Sequence, residues 1–352
     1  MDPCMAQHPP DAQNYFLACF AVSLVQGETI LQGTIRSVTV RGYMNAAASL
    51  FSDRQITSPL FAKKDYVKII TRALASYEGM EKRRNMLHDS MMVWMLKQAT
   101  HAPKDSLVPA IVDWTILGRY TGFRKSEWCQ STRTKYAKIE EWIGTPAEAL
   151  IDADINFLGH HDERHLHNPC FSDIKTVVVT WRKQKNKENG QQIPFERDDT
   201  LPDFCPVRAA FRIVQRARLL LVPKEEPVAV YHQQSVNKRY FITDNQVASF
   251  FKKAAMAVFN LHKTDPELTK YSTHSIRVTA ANVLHRANLS DSFIQMRLRW
   301  KSDTFLNYLR NTFYAASKHT KSLDISESNL PPLSERSYRE LESHEKLLAP
   351  AA

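Results

Sequence analysis

Cysteine is scarce in this chain of 352 residues. There are five, Cys4, Cys19, Cys129, Cys170 and Cys205, an odd number, widely scattered and never in a C-x-x-C pair. Their scatter argues against a disulfide-stapled secreted scaffold and fits a reduced compartment. Zinc-finger spacing is missing as well. The apolar run at 15–25, YFLACFAVSLV, has eleven residues and is too short to cross a bilayer. It also lacks a basic flank: two aspartates precede it and the first Lys or Arg is Arg36. The run therefore reads as a buried helix and not as a leader, and no membrane partner is expected. Acidic charge is in short supply too, with 37 Asp and Glu against 47 Lys and Arg, a formal net charge of +10. Such an excess points to a polyanionic partner such as nucleic acid. The last 32 residues carry more acid than base, so the partner meets the body of the protein and not its tail.

What is present starts with 43% apolar residues, enough for sizeable cores, and a length that suits two domains. The pattern is mainly helical. Residues 1–13 are polar and Pro-containing and read as a flexible start, with Asn14 as N-cap of the first helix. Apolar spacing predicts helices over about 34–51 and 64–77. The basic residues on them, Arg36 and Arg41 included, form either a solvated face or a DNA-facing one. The polar stretch QATHAPKDS at 98–106 reads as a linker between a helical domain at 14–97 and a second domain at 107–320. In that second domain a helix from Leu107 leads to Gly122-Phe123-Arg124-Lys125-Ser126-Glu127. Arg124 and Glu127, at i and i+3, either let the carboxylate buttress a ligand-facing guanidinium or form an ordinary surface pair.

An extended stretch at 151–158 precedes GHHDERHLHNPC at 159–170. His160, His161, His165, His167 and Cys170 are metal-ligand types, but their spacing fits no closed tetrahedral site; a His-rich turn insertion is the simpler reading, and no metal is expected. IKTVVVTW at 174–181 reads as a strand and QQIPF at 191–195 as its return, a small antiparallel hairpin whose tip carries Lys183, Lys185 and Lys187. The string RKQKNK there can also be read as a nuclear address. Helices at 206–221 and 246–261 read as core. The tail at 321–352 holds a short possible helix, or is charged and disordered.

The run from His274 to Tyr308 organises the rest. His274 and Arg277 stand at i and i+3, so imidazole and guanidinium share a helix face. Val278, Ala281, Val283, Leu284, Leu289, Ile294, Met296 and Leu298 read as the apolar sides of two short helices broken near 288–290. Trp300 and Tyr308 follow. Singly, each has an ordinary reading: a surface His, a core aromatic, a half-buried tyrosine. Their order and spacing are more specific.

H-S-x-R-V-x-A-A at His274, the tryptophan at 300 and N-Y-L-R-N around Tyr308 resemble the C-terminal active-site segment of the tyrosine recombinases, the Cre-like members in particular. W-K-S-D-x-F-x-x-Y-x-R is also similar to recombinases of Crypton and DIRS-type mobile elements. T-G-x-R-x-x-E at 121–127 is similar to the family's first arginine box, and T-I-R-S-V-x-x-R-G-Y-M-N at 34–45 to the central helix of its N-terminal domain. Two departures stand out. The gap from Trp300 to Tyr308 is one residue shorter than in Cre-like enzymes, which leaves Tyr314 as an alternative nucleophile, and the interval between Arg124 and the hairpin is longer.

The resemblance implies a SAM-like helical core-binding domain and an α+β DNA breaking-rejoining catalytic domain with a small antiparallel sheet. It implies site-specific recombination through a 3′-phosphotyrosine. Arg124, Lys185, His274, Arg277, Trp300 and Tyr308 would be catalytic, with Glu127 in support, and Lys183 is the alternative to Lys185 as general acid on the hairpin. Arg36, Arg41, Lys183 and Lys187 would touch DNA. No cofactor is implied. Double-stranded DNA and a homotetramer on paired sites are the implied partners, with the C-terminal tail docked on a neighbour. A nuclear location follows if the host is eukaryotic, a cytoplasmic one otherwise. Two alternatives remain: a monomeric type IB topoisomerase-like nicking-closing enzyme, and a domesticated DNA-binding protein without strand exchange.

The residue types suit that chemistry. A phosphodiester resists attack because it is anionic and its leaving alkoxide is strongly basic. Two guanidiniums supply charge-assisted hydrogen bonds to the non-bridging oxygens, about 1.5–3 kcal/mol each. A phenol, with an ordinary pKa near 10, attacks well only when held in line beside positive charge.

Overall fold

The structure, a computed structural model, describes residues 7–27, 35–53, 60, 65–78, 83–129, 148–159, 166, 168–184, 188–301 and 303–309. The chain is mainly helical with a small antiparallel sheet, and it divides into two compact units, Met1–Lys82 and Arg83–Ala352.

The first unit holds three helices, α1 (Pro10–Gln26), α2 (Ser37–Asp53) and α3 (Tyr66–Tyr77). Leu17, Ala21 and Leu24 of α1 close a core with Val40 and Met44 of α2 and Val67 of α3. Three sequence expectations are corrected here. The first helix starts at Pro10, the position where a proline's missing N–H costs nothing, so residues 10–13 are helical. Asn14 is therefore not an N-cap. It is fully buried inside α1 and its Oδ1 accepts from the Val67 N–H at 3.3 Å, tying α1 to the start of α3. Nor is α1 buried all round, since Tyr15, Phe16 and Phe20 are exposed.

The second unit begins earlier than the polar stretch at 98–106 suggests. Helix α4 (Asp89–Thr100) buries Met91, Met92 and Met95 in the main core of this unit, so the division falls near residue 82 and 98–106 is a loop inside the unit. Helix α5 (Leu107–Thr121) runs through that core with eleven buried residues. A short α6 (Lys125–Trp128) follows, then strands β1 (Ile155–Gly159), β2 (Ile174–Trp181) and β3 (Gln191–Glu196). These pair antiparallel in the order β1-β2-β3, with Val179 opposite Ile155 on one side and Ile193 on the other. Alternating Val and Ile on β2 bury one face against α7 (Pro206–Leu219). The remaining elements are a two-stranded ribbon, β4 (Val230–Gln233) with β5 (Lys238–Phe241), then α8 (Asp244–Phe259), α9 (His274–Arg286) and α10 (Asp291–Leu298), and a 3-10 turn at Asp303–Tyr308.

The expected break between α9 and α10 is present. Asn288 takes a left-handed φ of 57° and Ser290 caps α10 through the Phe293 N–H. Of the apolar positions there, Val278, Ala281, Ile294 and Leu298 are buried, while Met296 is 58% exposed and faces away from the core.

Helix α5 sets the position of α9. A Cβ at Gly118 would overlap the Cγ2 of Ile276, a β-branched, fully buried side chain close to its own backbone. The two helices approach this closely only because residue 118 has no side chain. Gly118→Ala is expected to destabilise the protein by about 1–3 kcal/mol through overpacking, read as a lower denaturation midpoint. An unchanged midpoint would show that α5 and α9 can separate freely.

Candidate active site

Helix α5 ends at Gly122, whose φ of 58° is the left-handed C-cap conformation that glycine adopts without strain. The chain then turns through Phe123, locked between Trp114, Trp128 and Trp181. That cluster aims Arg124 out of the core at the N-cap of α6. Glu127, only 5% exposed, reaches back: its Oε2 accepts from the Arg124 N–H at 2.9 Å and its Oε1 from Arg124 Nη1 at 3.0 Å. The same carboxylate accepts two further bonds from Arg299, at 3.2 and 3.0 Å. Glu127 is thus a buried anion held between two guanidiniums, far from the surface-pair alternative.

Arg277, on the buried face of α9, is 2% exposed. Nη1 donates to the Gly122 carbonyl at 2.6 Å and Nη2 to the Leu298 carbonyl at 3.3 Å, and the guanidinium lies 4.0 Å over the Trp300 ring. Neutral carbonyls and an aromatic face orient the cation without cancelling its charge. Burial first, and then the nearby positive charge of Arg124, pull its pKa down to about 9, which leaves it charged at neutral pH. A buried cation of this kind gains from an arriving anion.

His274 opens α9, and its ring centroid lies 5.0 Å from that of Tyr308. Trp300 packs edge-on against the same phenol at 4.6 Å. The backbone at Tyr308 is pinned as well, its carbonyl accepting from Asn282 Nδ2 at 2.8 Å. Asn282 is fully buried on α9. The phenol itself is half-buried. The Trp300 indole N–H is buried and without an acceptor, but so are those of Trp114, Trp128 and Trp181, so this feature alone does not mark a site.

These side chains share one cavity of about 930 Å³, lined by Arg124, His274, Arg277, Arg299, Trp300 and Tyr308 among others. Six of its lining residues are Lys or Arg, Arg84, Lys125 and Lys301 completing the set, and one, Asp244, is acidic. The cavity suits an anion. Asp244 is already paired with Lys125 at 3.0 Å. Among the described residues no cluster of His, Cys, Asp and Glu could hold a metal ion.

The structure thus brings together Arg124, Glu127, His274, Arg277, Trp300 and Tyr308, drawn from separate stretches of sequence. It places Lys183 elsewhere: its amine pairs with Glu148 and does not line the cavity. Arg36 and Arg41 are exposed on the first unit. Lys185, Lys187, Tyr314, the histidines at 160, 161, 165 and 167, and the tail at 321–352 lie outside the described residues. Two residues that sequence reasoning missed are Arg299 and Asn282. Asn282 left no signal, being a polar residue in the interior of an amphipathic helix.

No protein-family model matches the chain and no curated protein does. Among solved structures it is similar to the Tn1549 transposon integrase in complex with transposon right end DNA, at 13% identity and a TM-score of 0.50, covering 89% of this chain and 85% of that one. The same integrase with circular intermediate DNA is 14% identical over 87% of this chain and 84% of that one, TM-score 0.43. A lambda integrase dimer bound to a COC′ core site is 14% identical over 84% and 78%, TM-score 0.42. The first of these matches carries the conclusion, which concerns fold: the chain is built like an integrase.

Proposed function

We propose that the chain is a tyrosine recombinase that cuts and rejoins DNA through a 3′-phosphotyrosine. The observation that carries this reading is the seat of Tyr308, packed against His274 and Trp300 at a cavity into which Arg124 and Arg277 also project. In this mechanism Arg124 and Arg277 bind the non-bridging oxygens of a phosphodiester and stabilise the charge that builds during attack. The Tyr308 oxygen bonds to phosphorus as the bond to the 5′ oxygen breaks. His274 manages the proton of the phenol or bonds the phosphoryl group. A lysine on the β2–β3 hairpin, Lys185 or Lys183, protonates the leaving oxygen. One ester replaces another, so no ATP is consumed, and a 5′ hydroxyl from a second strand reverses the step.

Support comes from the integrase fold and from the sequence resemblance, which covers both units of the chain. The solved integrases named above are bound to DNA. By extension the partner of this chain is double-stranded DNA, the working form a homotetramer on paired sites, the origin a mobile element, and the location nuclear if its host is eukaryotic. A nicked suicide duplex built from the DNA flanking the gene tests the reading: a covalent protein–DNA adduct is expected. No adduct with any duplex would leave only binding. Joining of two separate duplexes would exclude simple topoisomerase action. DNA affinity should also fall steeply as salt rises from 50 to 200 mM, by about 10³-fold if six phosphates are contacted. Salt-insensitive binding would contradict a cavity of this charge.

A further inference from the structure

We propose that Arg299 is a positioning residue that couples the β2–β3 hairpin to the segment carrying Trp300 and Tyr308. The inference deepens the recombinase reading and rests on it. Arg299 is fully buried in its side chain and sits in a left-handed conformation, φ 59°, at the C-cap of α10. Arginine is disfavoured there, and such a backbone persists where surrounding contacts over-determine it. The contacts are unusually many. One guanidinium grips both oxygens of Glu127, donates to the Thr121 carbonyl at 3.4 Å, lies 4.0 Å over the Trp181 ring at the end of β2, and donates to Gln184 Oε1 at 3.2 Å.

Gln184 is the keystone of the hairpin tip. It is 5% exposed; its N–H donates to Asn189 Oδ1 at 2.8 Å, and its amide donates to the Glu188 carbonyl and, at 3.3 Å, to Gln191 Oε1. On the other side of Trp300, Lys301 pairs with Glu188 at 2.9 Å. The residues flanking Trp300 therefore both hold the hairpin tip, one through a buried bond and one through an exposed ion pair. Buried bonds of this kind fix geometry, and exposed pairs add little. The lysine neighbours of Gln184 in sequence are Lys183 and Lys185, the two candidates for general acid. Arg299 thus anchors Gln184, the residue between the two candidate proton donors, to the segment that carries Trp300 and Tyr308.

The consequence is specific to one half of the reaction. Breaking the bond to a natural 5′ oxygen needs a proton, whereas a bridging 5′ sulfur leaves as a thiolate and needs none. Gln184→Met removes the acceptor for Arg299 while leaving the Arg299–Glu127 pair; Arg299→Lys keeps a charge beside Glu127 but loses the fork on that carboxylate together with the bond to Gln184. Full-length wild type and both variants should be compared on nicked duplexes with oxygen or sulfur at the bridging position. Gln184→Met should form adduct about tenfold or more slowly than wild type on the oxygen substrate, and within about threefold of it on the sulfur substrate; Arg299→Lys, which also loosens Glu127 beside Arg124, should be slower on both and lose more on oxygen than on sulfur. DNA binding of Gln184→Met should stay near wild type. Equal losses on both substrates, or no loss on either, would overturn the coupling. Absence of adduct from the wild type on both substrates would sink the recombinase reading itself, which is a different result.

Discussion

Tyr308→Phe should form no covalent adduct with a nicked duplex while still binding DNA and folding as the wild type does. The phenylalanine ring keeps the packing against His274 at 5.0 Å and Trp300 at 4.6 Å, and the bond from Asn282 goes to the backbone and not to the side chain. Only a hydroxyl on a half-buried ring is lost, so the stability change should lie within about 0.5 kcal/mol, the usual range for such a site. The loss of the nucleophile is total by contrast, since no other atom of the side chain can bond to phosphorus. Adduct that survives in this variant and disappears in Tyr314→Phe would move the nucleophile six residues along. That result would also remove the meaning of the His274, Trp300 and Tyr308 packing.

The second large effect belongs to Arg277. Arg277→Lys keeps a positive charge but cannot reproduce the fork that bonds the Gly122 and Leu298 carbonyls while leaving N–H groups for a ligand. Loss of one preorganised donor to a developing oxyanion typically costs about 10²–10³ in rate. Adduct formation should fall by at least that much, with DNA affinity changed by less than about tenfold, because many other basic groups hold the backbone. Two carbonyls also lose their best partner, so a drop in stability of about 1–3 kcal/mol should accompany it. Wild-type cleavage rates in this variant would mean that Arg277 is only a strut between α5 and α10.

Much of this arrangement is legible in the order of the residues. The β-branched run at 174–181 and the turn after it specify β2 and β3 closely, because a short Val, Ile and Thr run between turn signals suits a largely buried strand, and β3 returns beside it with alternating burial. The i, i+3 spacing of His274 and Arg277 puts both on one side of α9, and both line the cavity. What escapes depends on partners far away in sequence. The unit boundary is misplaced because QATHAPKDS is polar enough to pass for a linker, while the signal lies in the Met-rich face of α4, which has no meaning until α5 and α8 are packed on it. Asn14 looks like a cap because caps and buried hydrogen-bonding asparagines are the same residue type; its partner, Val67, is 53 residues on. Arg299 is hidden for two reasons. Its partner Glu127 lies 172 residues earlier, and its left-handed backbone turns what reads as a helix-terminal surface cation into the interior.

Trapping the protein on DNA, digesting the adduct with nuclease and protease, and mapping the modified residue by mass spectrometry would decide where the chemistry happens. A single nucleotide-bearing peptide is expected, modified on Tyr308 through a 3′ phosphate. A modification on Tyr314, a linkage through a 5′ phosphate, or unmodified peptides across this region under trapping conditions would contradict a nucleophile seated between His274 and Trp300.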